Sequence, residues 1–240
     1  MSMENLIIKE GYQIHKVLSG RTNSYLIIKN NQSVLVDTGK ASAYNRLVKN
    51  IEKLLSGENT LEYLILTHTH FDHCQSAYRI KNDYGCKIVV SEKAVNSIEA
   101  GYTKLPEGTG FITGLISKAG ERIGKKRFGY HVFQPDILID MNNTFQIGSF
   151  EIKIIPVAGH SEDSISIIIN NEVAIVGDSM FGIFRNSIFP PFADNIKKMI
   201  ESWGKLLNTH CGLFLPGHGK AVERKLLEKE YKKYVRKYNL

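Results

Sequence analysis

The densest group of metal-binding side chains in the sequence lies at residues 67–73, which read THTHFDH. Three imidazoles and one carboxylate follow an apolar segment and precede a segment of helical character. Neutral imidazole and carboxylate suit Zn²⁺, and also Mn²⁺ or iron. His68 and His70, two positions apart, can converge from one side of an extended segment, whereas Asp72 and His73 must point elsewhere. The motif therefore predicts ligands for two neighbouring metal ions.

Three further candidates follow apolar segments in the second half of the chain: His160, Asp178 and His218. A glycine lies beside each of them, as expected where a tight backbone turn aims a side chain over the edge of a sheet. One such histidine alone is more often structural, but the same setting recurs three times. The predicted metal ligands, of which we expect Asp72 and Asp178 also to be catalytic, are His68, His70, Asp72, His73, His160, Asp178 and His218.

Two cations about 3.5–4 Å apart can share a water molecule, lower its pKa towards about 7 and hold it as hydroxide. Hydrolysis at such a centre needs no protein nucleophile, so the pattern predicts a binuclear metal-dependent hydrolase with a metal-bridging hydroxide. Two roles fit Asp37, which also follows an apolar segment: orienting a metal-binding histidine, or capping an Asx turn. Cys74 follows His73 directly, and we expect it to be a buried thiol rather than a ligand.

The surrounding pattern predicts the elements that position these residues. Apolar alternation and β-branched residues predict strands, listed in chain order as 14–18, 24–28, 33–36, 61–66, 87–90, 150–155, 165–169, 173–176 and 213–215. The second strand-rich part begins near Thr144. Amphipathic periodicity predicts helices at 42–55, 75–83, 92–100, 195–207 and 222–238. The first half therefore has a βαβα order, and both halves supply strands and helices.

Residues 101–140 contain seven glycines and no sustained period, and they are too long for an ordinary connection. We expect this segment to be a lid or insertion. No Pro/Ser-rich linker interrupts the chain, so residues 1–240 are expected to form a single domain.

The spacing HxHxDH…H…D…H resembles that of the metallo-β-lactamase superfamily over about residues 23–219, and VLVDTG at 34–39 is similar to the segment that precedes the metal motif in that family. The resemblance implies an α/β (α+β) fold, a four-layer αββα sandwich with the metal site at one edge between the sheets. It also implies that His68, His70 and His160 hold one metal. Asp72, His73 and His218 would hold the second, and Asp178 would bridge both.

The family acts on β-lactams, thioesters, lactones and phosphodiesters and, with one iron, on persulfides, so the fold alone does not select a substrate. The stretch from Asp178 to PGHG at 216–219 resembles the glyoxalase II and lactonase-like branch, which favours a small ester, thioester or lactone. Glutathione specificity is not expected, because FGIFR at 181–185 replaces a GCGR-like segment. Residues expected to form an aromatic wall with one cation are Phe181, Phe184, Arg185, Phe189 and Phe192.

The formal net charge of +7 is concentrated at residues 118–127 and 220–240. This concentration of positive charge suggests one alternative function, a phosphodiesterase or nuclease. Against it, the last predicted helix has an apolar stripe that is expected to pack on the domain, which leaves its basic residues facing solvent. A second alternative is an oxidoreductase with one iron, like a persulfide dioxygenase. We expect two Zn²⁺ ions, with Mn²⁺ or Fe²⁺ as substitutes, and a small-molecule substrate. Nucleic acid is a less favoured partner, and a homodimer is left open.

Three cysteines and no export signal predict free thiols in a reducing cytoplasm. No apolar run reaches the ~18–20 residues of a membrane span, so no membrane partner is expected. For the remaining histidines, structural or surface roles are expected of His15 and His210, whereas His131 is also a candidate for the pocket.

Overall fold

The computed structural model describes residues 5–55, 60–140, 143–147 and 150–240. The first sheet has seven strands in the spatial order in which they occur along the chain. They are β1 Asn5–Ile7, β2 Gln13–Leu18, β3 Ser24–Lys29, β4 Gln32–Val36, β5 Thr60–Ile65, β6 Lys87–Ser91 and β7 Ile137–Ile139. Neighbours from β1 to β4 pair antiparallel, and those from β4 to β7 pair parallel.

The second sheet has six strands in the order β13-β12-β11-β10-β9-β8. They are β8 Asn143–Ile147, β9 Phe150–Pro156, β10 Ile165–Ile169, β11 Val173–Gly177, β12 Leu213–Pro216 and β13 Val222–Glu223. Only β11 and β12 pair parallel in this sheet, so both strands end at the same edge.

The α-helices described are α1 Tyr44–Glu52, α2 Phe71–Cys74, α3 Ala77–Tyr84, α4 Val95–Ala100, α5 Phe111–Ile123, α6 Lys125–Phe128, α7 Ile196–Leu207 and α8 Arg224–Tyr238. Short 3-10 turns precede α1 and α4 at Ala41–Ala43 and Glu92–Ala94. Within the described ranges, no helix combines the length and the apolar character needed to cross a bilayer.

Side-chain alternation along the strands builds four layers. In β3, Tyr25 and Ile27 contribute to a core between the two sheets, whereas Leu26 and Ile28 face a second core under α1, α3 and α4. A third core lies between the second sheet and the helices α7 and α8, with Trp203 at its centre. The order helix, sheet, sheet, helix is the αββα sandwich that the sequence predicted.

The predicted strands at 24–28, 33–36 and 165–169 agree with β3, β4 and β10 to within one residue at each end. The predicted helix at 222–238 is α8, preceded by the short β13, and its apolar stripe packs on the third core through Leu227 and Tyr234. The predicted helix at 75–83 is α3, after a separate turn, α2, formed by the metal motif itself.

Residues 101–140, where no sustained period was found, contain α5, α6 and β7. Helix α5 buries Ser117 and Gly120, while Phe111 is 84% exposed and Ile112 is 71% exposed. Its apolar side chains therefore lie on the solvent side, and its two glycines lower the helix propensity by roughly 1 kcal/mol each. For both reasons, apolar periodicity in the sequence does not predict this helix.

Candidate metal centre

The seven predicted ligands meet at one edge of the sandwich, where strands from both sheets end. Strand β5 leads into the THTHFDH loop and α2, and Asp178 follows β11 directly. His160 and His218 follow β9 and β12 within four residues. A hydrogen bond from the amide of Ile165 to the carbonyl of Thr67, 2.8 Å long, ties the two sheets together at this edge.

The first group of ligand atoms belongs to His68, His70 and His160. All three residues are buried, and one ring nitrogen from each lies within 4.8 Å of the others. His70 Nδ1 and His160 Nε2 are 3.0 Å apart. Three converging imidazoles are a ligand set that suits a divalent transition metal.

The second group belongs to Asp72, His73 and His218, whose ligand atoms also lie within 4.8 Å of one another. His218 Nε2 lies 3.6 Å from Asp72 Oδ2. The hydroxyl of Thr22 donates to the same Asp72 oxygen over 3.2 Å, which holds the carboxylate against the cluster.

Asp178 lies between the two groups. Its Oδ1 is 3.3 Å from His73 Nε2, and its Oδ2 is 3.1 Å from His218 Nε2 and 3.7 Å from His160 Nε2. One carboxylate thus contacts members of both groups, as a bridging ligand must.

The second nitrogen of each buried histidine is held by the protein. Asp37 Oδ2 lies 2.8 Å from His73 Nδ1, so Asp37 holds the His73 ring in its orientation. His160 Nδ1 donates to the carbonyl of Phe192 over 2.9 Å. His70 Nε2 donates to the carbonyl of Lys104, and His68 Nδ1 lies 3.1 Å from the hydroxyl of Thr67. Such outer contacts fix the ring orientations and leave the opposite nitrogens facing the cluster.

Three buried atoms in the cluster have no hydrogen-bond partner: His68 Nε2, His73 Nε2 and Asp178 Oδ1. An unsatisfied buried polar atom costs roughly 1–3 kcal/mol, so its presence in a packed interior calls for an explanation. A cation at the centre of each group would satisfy all three atoms. The same three residues form a further group whose ligand atoms lie within 4.8 Å of one another, so the donor set and the orphaned atoms fit bound metal ions.

The two groups differ in their charge states. Burial, together with the neighbouring imidazoles, holds the pKa of His68 well below its ordinary value, and burial lowers the pKa of His160 to about 4. Burial also disfavours the charged form of His73, but Asp178 and Asp37 raise its pKa well above the ordinary value. The first group is therefore neutral and ready to act as ligands.

Burial favours the neutral carboxyl of Asp178, but His218 and His73 hold its pKa well below the ordinary value. Asp178 likewise raises the pKa of His218 against the effect of burial. The carboxylate of Asp178 and the imidazoles of His73 and His218 thus favour each other's charged forms.

A polar network behind the loop contains residues that the sequence did not reveal. Asp163 Oδ2 accepts hydrogen bonds from the amide and the hydroxyl of Thr69, at 2.8 and 2.7 Å. Thr103 donates to the same hydroxyl over 2.9 Å and contacts Tyr130. The network fixes the extended backbone between His68 and His70. No spacing signal marks Asp163, because its partner lies 94 residues earlier in the chain.

The cluster opens into a cavity of about 270 Å³. The 101–140 segment contributes Leu105, Pro106, Ile116 and Phe128 to its lining. Phe71, Phe181 and Phe192 also line it, and the ring of Phe181 packs on His218 at 4.6 Å between centroids. The cavity lining is therefore apolar apart from Ser117 and the cluster itself.

The predicted aromatic wall is only partly correct. Phe181 and Phe192 line the cavity, but Phe189 packs on Trp203 and Tyr234 in the third core. Phe184 and Arg185 line a separate depression beside Lys220, because the chain turns outward after Phe181.

The remaining candidates lie outside the centre. His15 is buried in β2 beside Gln13, and His210 is exposed. His131 stacks on Tyr78 at the surface and does not line the cavity, because Gly129 and Tyr130 direct it away. Cys74 points its thiol at the carbonyl of Thr69, 3.2 Å away. The three cysteines, Cys74, Cys86 and Cys211, are all buried and free.

Comparison with known proteins finds relatives by sequence and by fold. A probable metallo-hydrolase of Methanocaldococcus jannaschii is 27% identical over 207 residues, which are 85% of this chain and 90% of that protein. The crystal structure of an archaeal metallo-beta-lactamase superfamily protein from Sulfolobus tokodaii superposes with a TM-score of 0.66 at 20% identity, over 92% of this chain and 86% of that one. A subclass B3 metallo-beta-lactamase of Bradyrhizobium japonicum reaches 0.70 at 16% identity, over 94% and 89%.

These structural similarities establish the fold alone. Family membership is shown by the sequence profile of the Metallo-beta-lactamase superfamily, which matches residues 19–218 and so includes all seven clustered side chains. The chain therefore belongs to the metallo-beta-lactamase superfamily.

Proposed function

We propose that this chain is a binuclear metal-dependent hydrolase, with Zn²⁺ as the preferred ion, acting on a small ester, thioester or lactone. The observation that carries the proposal is the arrangement of Asp178 between two ligand groups at the floor of an apolar cavity. The similarity to proteins named probable metallo-hydrolases supports the reaction class. Two cations held here would supply the positive charge that ionises water and polarises a carbonyl.

The residues around the cluster have separate tasks in this proposal. Asp178 keeps the two ligand groups in place relative to each other. Asp37 orients His73, and Thr22 orients Asp72, towards the centre of the cluster. Phe181 fixes the plane of the His218 ring by packing on it. Holding the reacting groups in place contributes to catalysis because the encounter entropy is lost before the reaction begins.

The cavity walls favour an apolar acyl group. Leu105, Ile116 and Phe128 form the side contributed by residues 101–140, and we propose that this segment acts as a cover over the bound substrate. The backbone carbonyl of Lys104 also holds His70, so the cover and the ligand loop are coupled. An apolar pocket with few polar groups at its floor binds through burial of apolar surface.

The phosphodiesterase alternative receives less support. Its main argument was the charge of residues 118–127 and 220–240, yet Lys118, Lys126 and Arg127 are exposed side chains that do not line the cavity. On α8 the exposed bases are Lys225, Lys229, Lys232, Lys233, Arg236 and Lys237, whereas Arg224 donates to the backbone carbonyls of Leu207, Thr209 and Cys211. No base of either run, all within the described part of the chain, lines the cavity.

Metal analysis and a substrate panel test the proposal. Protein purified without added metal is expected to contain two zinc or manganese ions per chain, whereas one iron would favour the persulfide-dioxygenase alternative. Among lactones, thioesters and phosphodiesters, we expect turnover of the carbonyl substrates. His68→Ala and Asp178→Ala should abolish turnover restored by metal, while His210→Ala, at an exposed histidine, should not. Retained turnover in the first two variants contradicts the assignment.

A further inference from the structure

A second cavity, of about 480 Å³, lies beside the metal centre, and none of residues 101–140 lines it. It is formed by the turn between β2 and β3 and by the segment between β4 and α1. We call it the cationic cavity, because Arg21, Lys40 and Arg46 line it. None of its lining residues, all within the described part of the chain, is acidic.

Among the described residues, no carboxylate forms an ion pair with any of these three cations. Arg46 donates only to the backbone carbonyl of Ser19, over 3.3 Å, and Lys40 Nζ lies over the ring of Phe71 at 4.7 Å. Three like charges gathered around one cavity repel one another, and an anion within the cavity relieves this repulsion.

The cationic cavity shares a wall with the metal centre at two points. Thr22 lines the cationic cavity, and its hydroxyl donates to Asp72, which lines the apolar cavity. Lys40 lines the cationic cavity and covers the ring of Phe71, which also lines the apolar cavity. The two cavities are therefore adjacent, joined by the contacts of Thr22 with Asp72 and of Lys40 with Phe71.

We propose that the cationic cavity binds an anionic group, a carboxylate or a phosphate, on the leaving portion of the substrate. The acyl portion then lies in the apolar cavity, and the scissile bond lies over the ligand cluster between them. This inference rests on the proposed hydrolase function. It narrows the substrate class to thioesters or esters that carry an apolar acyl group and an anionic thiol or alcohol.

For a thioester the reaction is a simple hydrolysis. Water adds to the carbonyl carbon, and the carbon–sulfur bond breaks. The products are a carboxylic acid and the anionic thiol, and no oxidant or reductant is consumed. Arg21, Lys40 and Arg46 take no part in bond making; they bind the charged end of the substrate and thereby determine specificity.

The direct test compares butanoyl thioesters that differ only in the charge of the thiol portion. Suitable thiols are 3-mercaptopropan-1-ol, its phosphate ester and 3-mercaptopropanoic acid, with six-carbon homologues to vary the reach. With the metal-loaded enzyme at low ionic strength, we expect kcat/KM to be about tenfold higher for at least one anionic thioester, corresponding to about 1.4 kcal/mol. The preference should decrease with added salt, because exposed charges are screened. The phosphate and carboxylate arms identify which anion is preferred.

Variants connect the preference to the cavity. Arg21→Gln and Arg46→Gln should each raise KM for the anionic thioester by about two- to fivefold, the range of an exposed ion pair. The double variant should lose most of the charge preference. Lys49→Gln is the matched control, because Lys49 lies on the same helix as Arg46, is exposed and does not line the cavity. It should leave both KM values unchanged.

Binding of the corresponding thioethers, which cannot be hydrolysed, separates the two proposals. If no thioester is hydrolysed but the anionic thioether binds more tightly than the neutral one, and Arg21→Gln weakens it, the cavity assignment stands and the hydrolase proposal falls. If all thioesters are hydrolysed with equal kcat/KM, the cavity assignment is wrong and the hydrolase proposal stands. Equal thioether binding without hydrolysis overturns both.

Discussion

Substituting Gly217 by alanine tests whether the geometry of the cluster, rather than its composition, determines function. An added Cβ would lie 2.3 Å from Asp178 Oδ1 and 2.5 Å from His73 Cε1. An ordinary contact begins at 3.4 Å, so the neighbouring groups must move by about 1 Å. The backbone φ of Gly217 lies outside the left-handed region, so the effect of alanine there is steric.

The backbone around Gly217 leaves little room for the residue itself to move. Its amide donates to the carbonyl of Gly177 over 2.7 Å, and its carbonyl accepts from the amide of Asn23, also over 2.7 Å. These hydrogen bonds connect Gly217 to both sheets, so the side chains of Asp178 and His73 must move instead. Displacing a catalytic geometry by 1 Å can cost about a hundredfold in rate, whereas overpacking costs about 1–3 kcal/mol in stability.

We therefore expect Gly217→Ala to lower kcat/KM at least about a hundredfold and to weaken metal binding, while the protein still folds. Gly212→Ala is the matched control at the other end of β12, where an added Cβ meets no atom within 4 Å. Zinc content, chelator competition, steady-state kinetics and urea unfolding of both variants are the measurements. Wild-type metal affinity and turnover in Gly217→Ala would refute the inference that Asp178 must occupy its observed position.

Three further predictions concern single groups. Asp37→Asn should weaken metal binding about 10–100-fold by loosening His73, as measured by competition with a chromogenic chelator; unchanged affinity contradicts the orienting role. Asp163→Asn should lower the free energy of unfolding in urea by about 1–3 kcal/mol, because Thr69 loses a charged acceptor, and an unchanged midpoint would show the network to be dispensable. Burial raises the pKa of Cys86 from 9.0 to about 11, so only the unfolded chain releases this proton between those pH values. Stability should therefore fall by about 2 kcal/mol more in the wild type than in Cys86→Ala from pH 9 to pH 11, with little difference well below pH 9.

The ligand positions could be predicted because their signals are local. The motif at 67–73 and the candidates His160, Asp178 and His218 each follow a strand whose apolar character is visible in the sequence. Ends of strands lie at the edge of a sheet, so a polar residue directly after an apolar run is already placed near other strand ends. The structure brings all of these residues together, and their role as metal ligands remains a prediction.

The supporting contacts could not be predicted, because they depend on chain segments that meet only in the fold. Thr22 reaches Asp72 across 50 positions, and Asp163 reaches Thr69 across 94. His70 is held by a backbone carbonyl, that of Lys104, and a carbonyl carries no sequence signal at all. The same limit applies to Phe189, which entered the third core because Trp203 and Tyr234 form a place for it there.

The position of the cluster explains why a packed protein tolerates several unpaired polar atoms. Its members come from loops of both sheets, and the bonds Ile165 to Thr67 and Asn23 to Gly217 hold those loops irrespective of any bound ion. The two sheets share a core containing Ile65, which ends the strand leading to the ligand loop. These backbone bonds and the shared apolar core therefore hold the loops together around the cluster. In the proposed hydrolase such a site would be preorganised, so that ion binding would use atoms already in place instead of first ordering the loops.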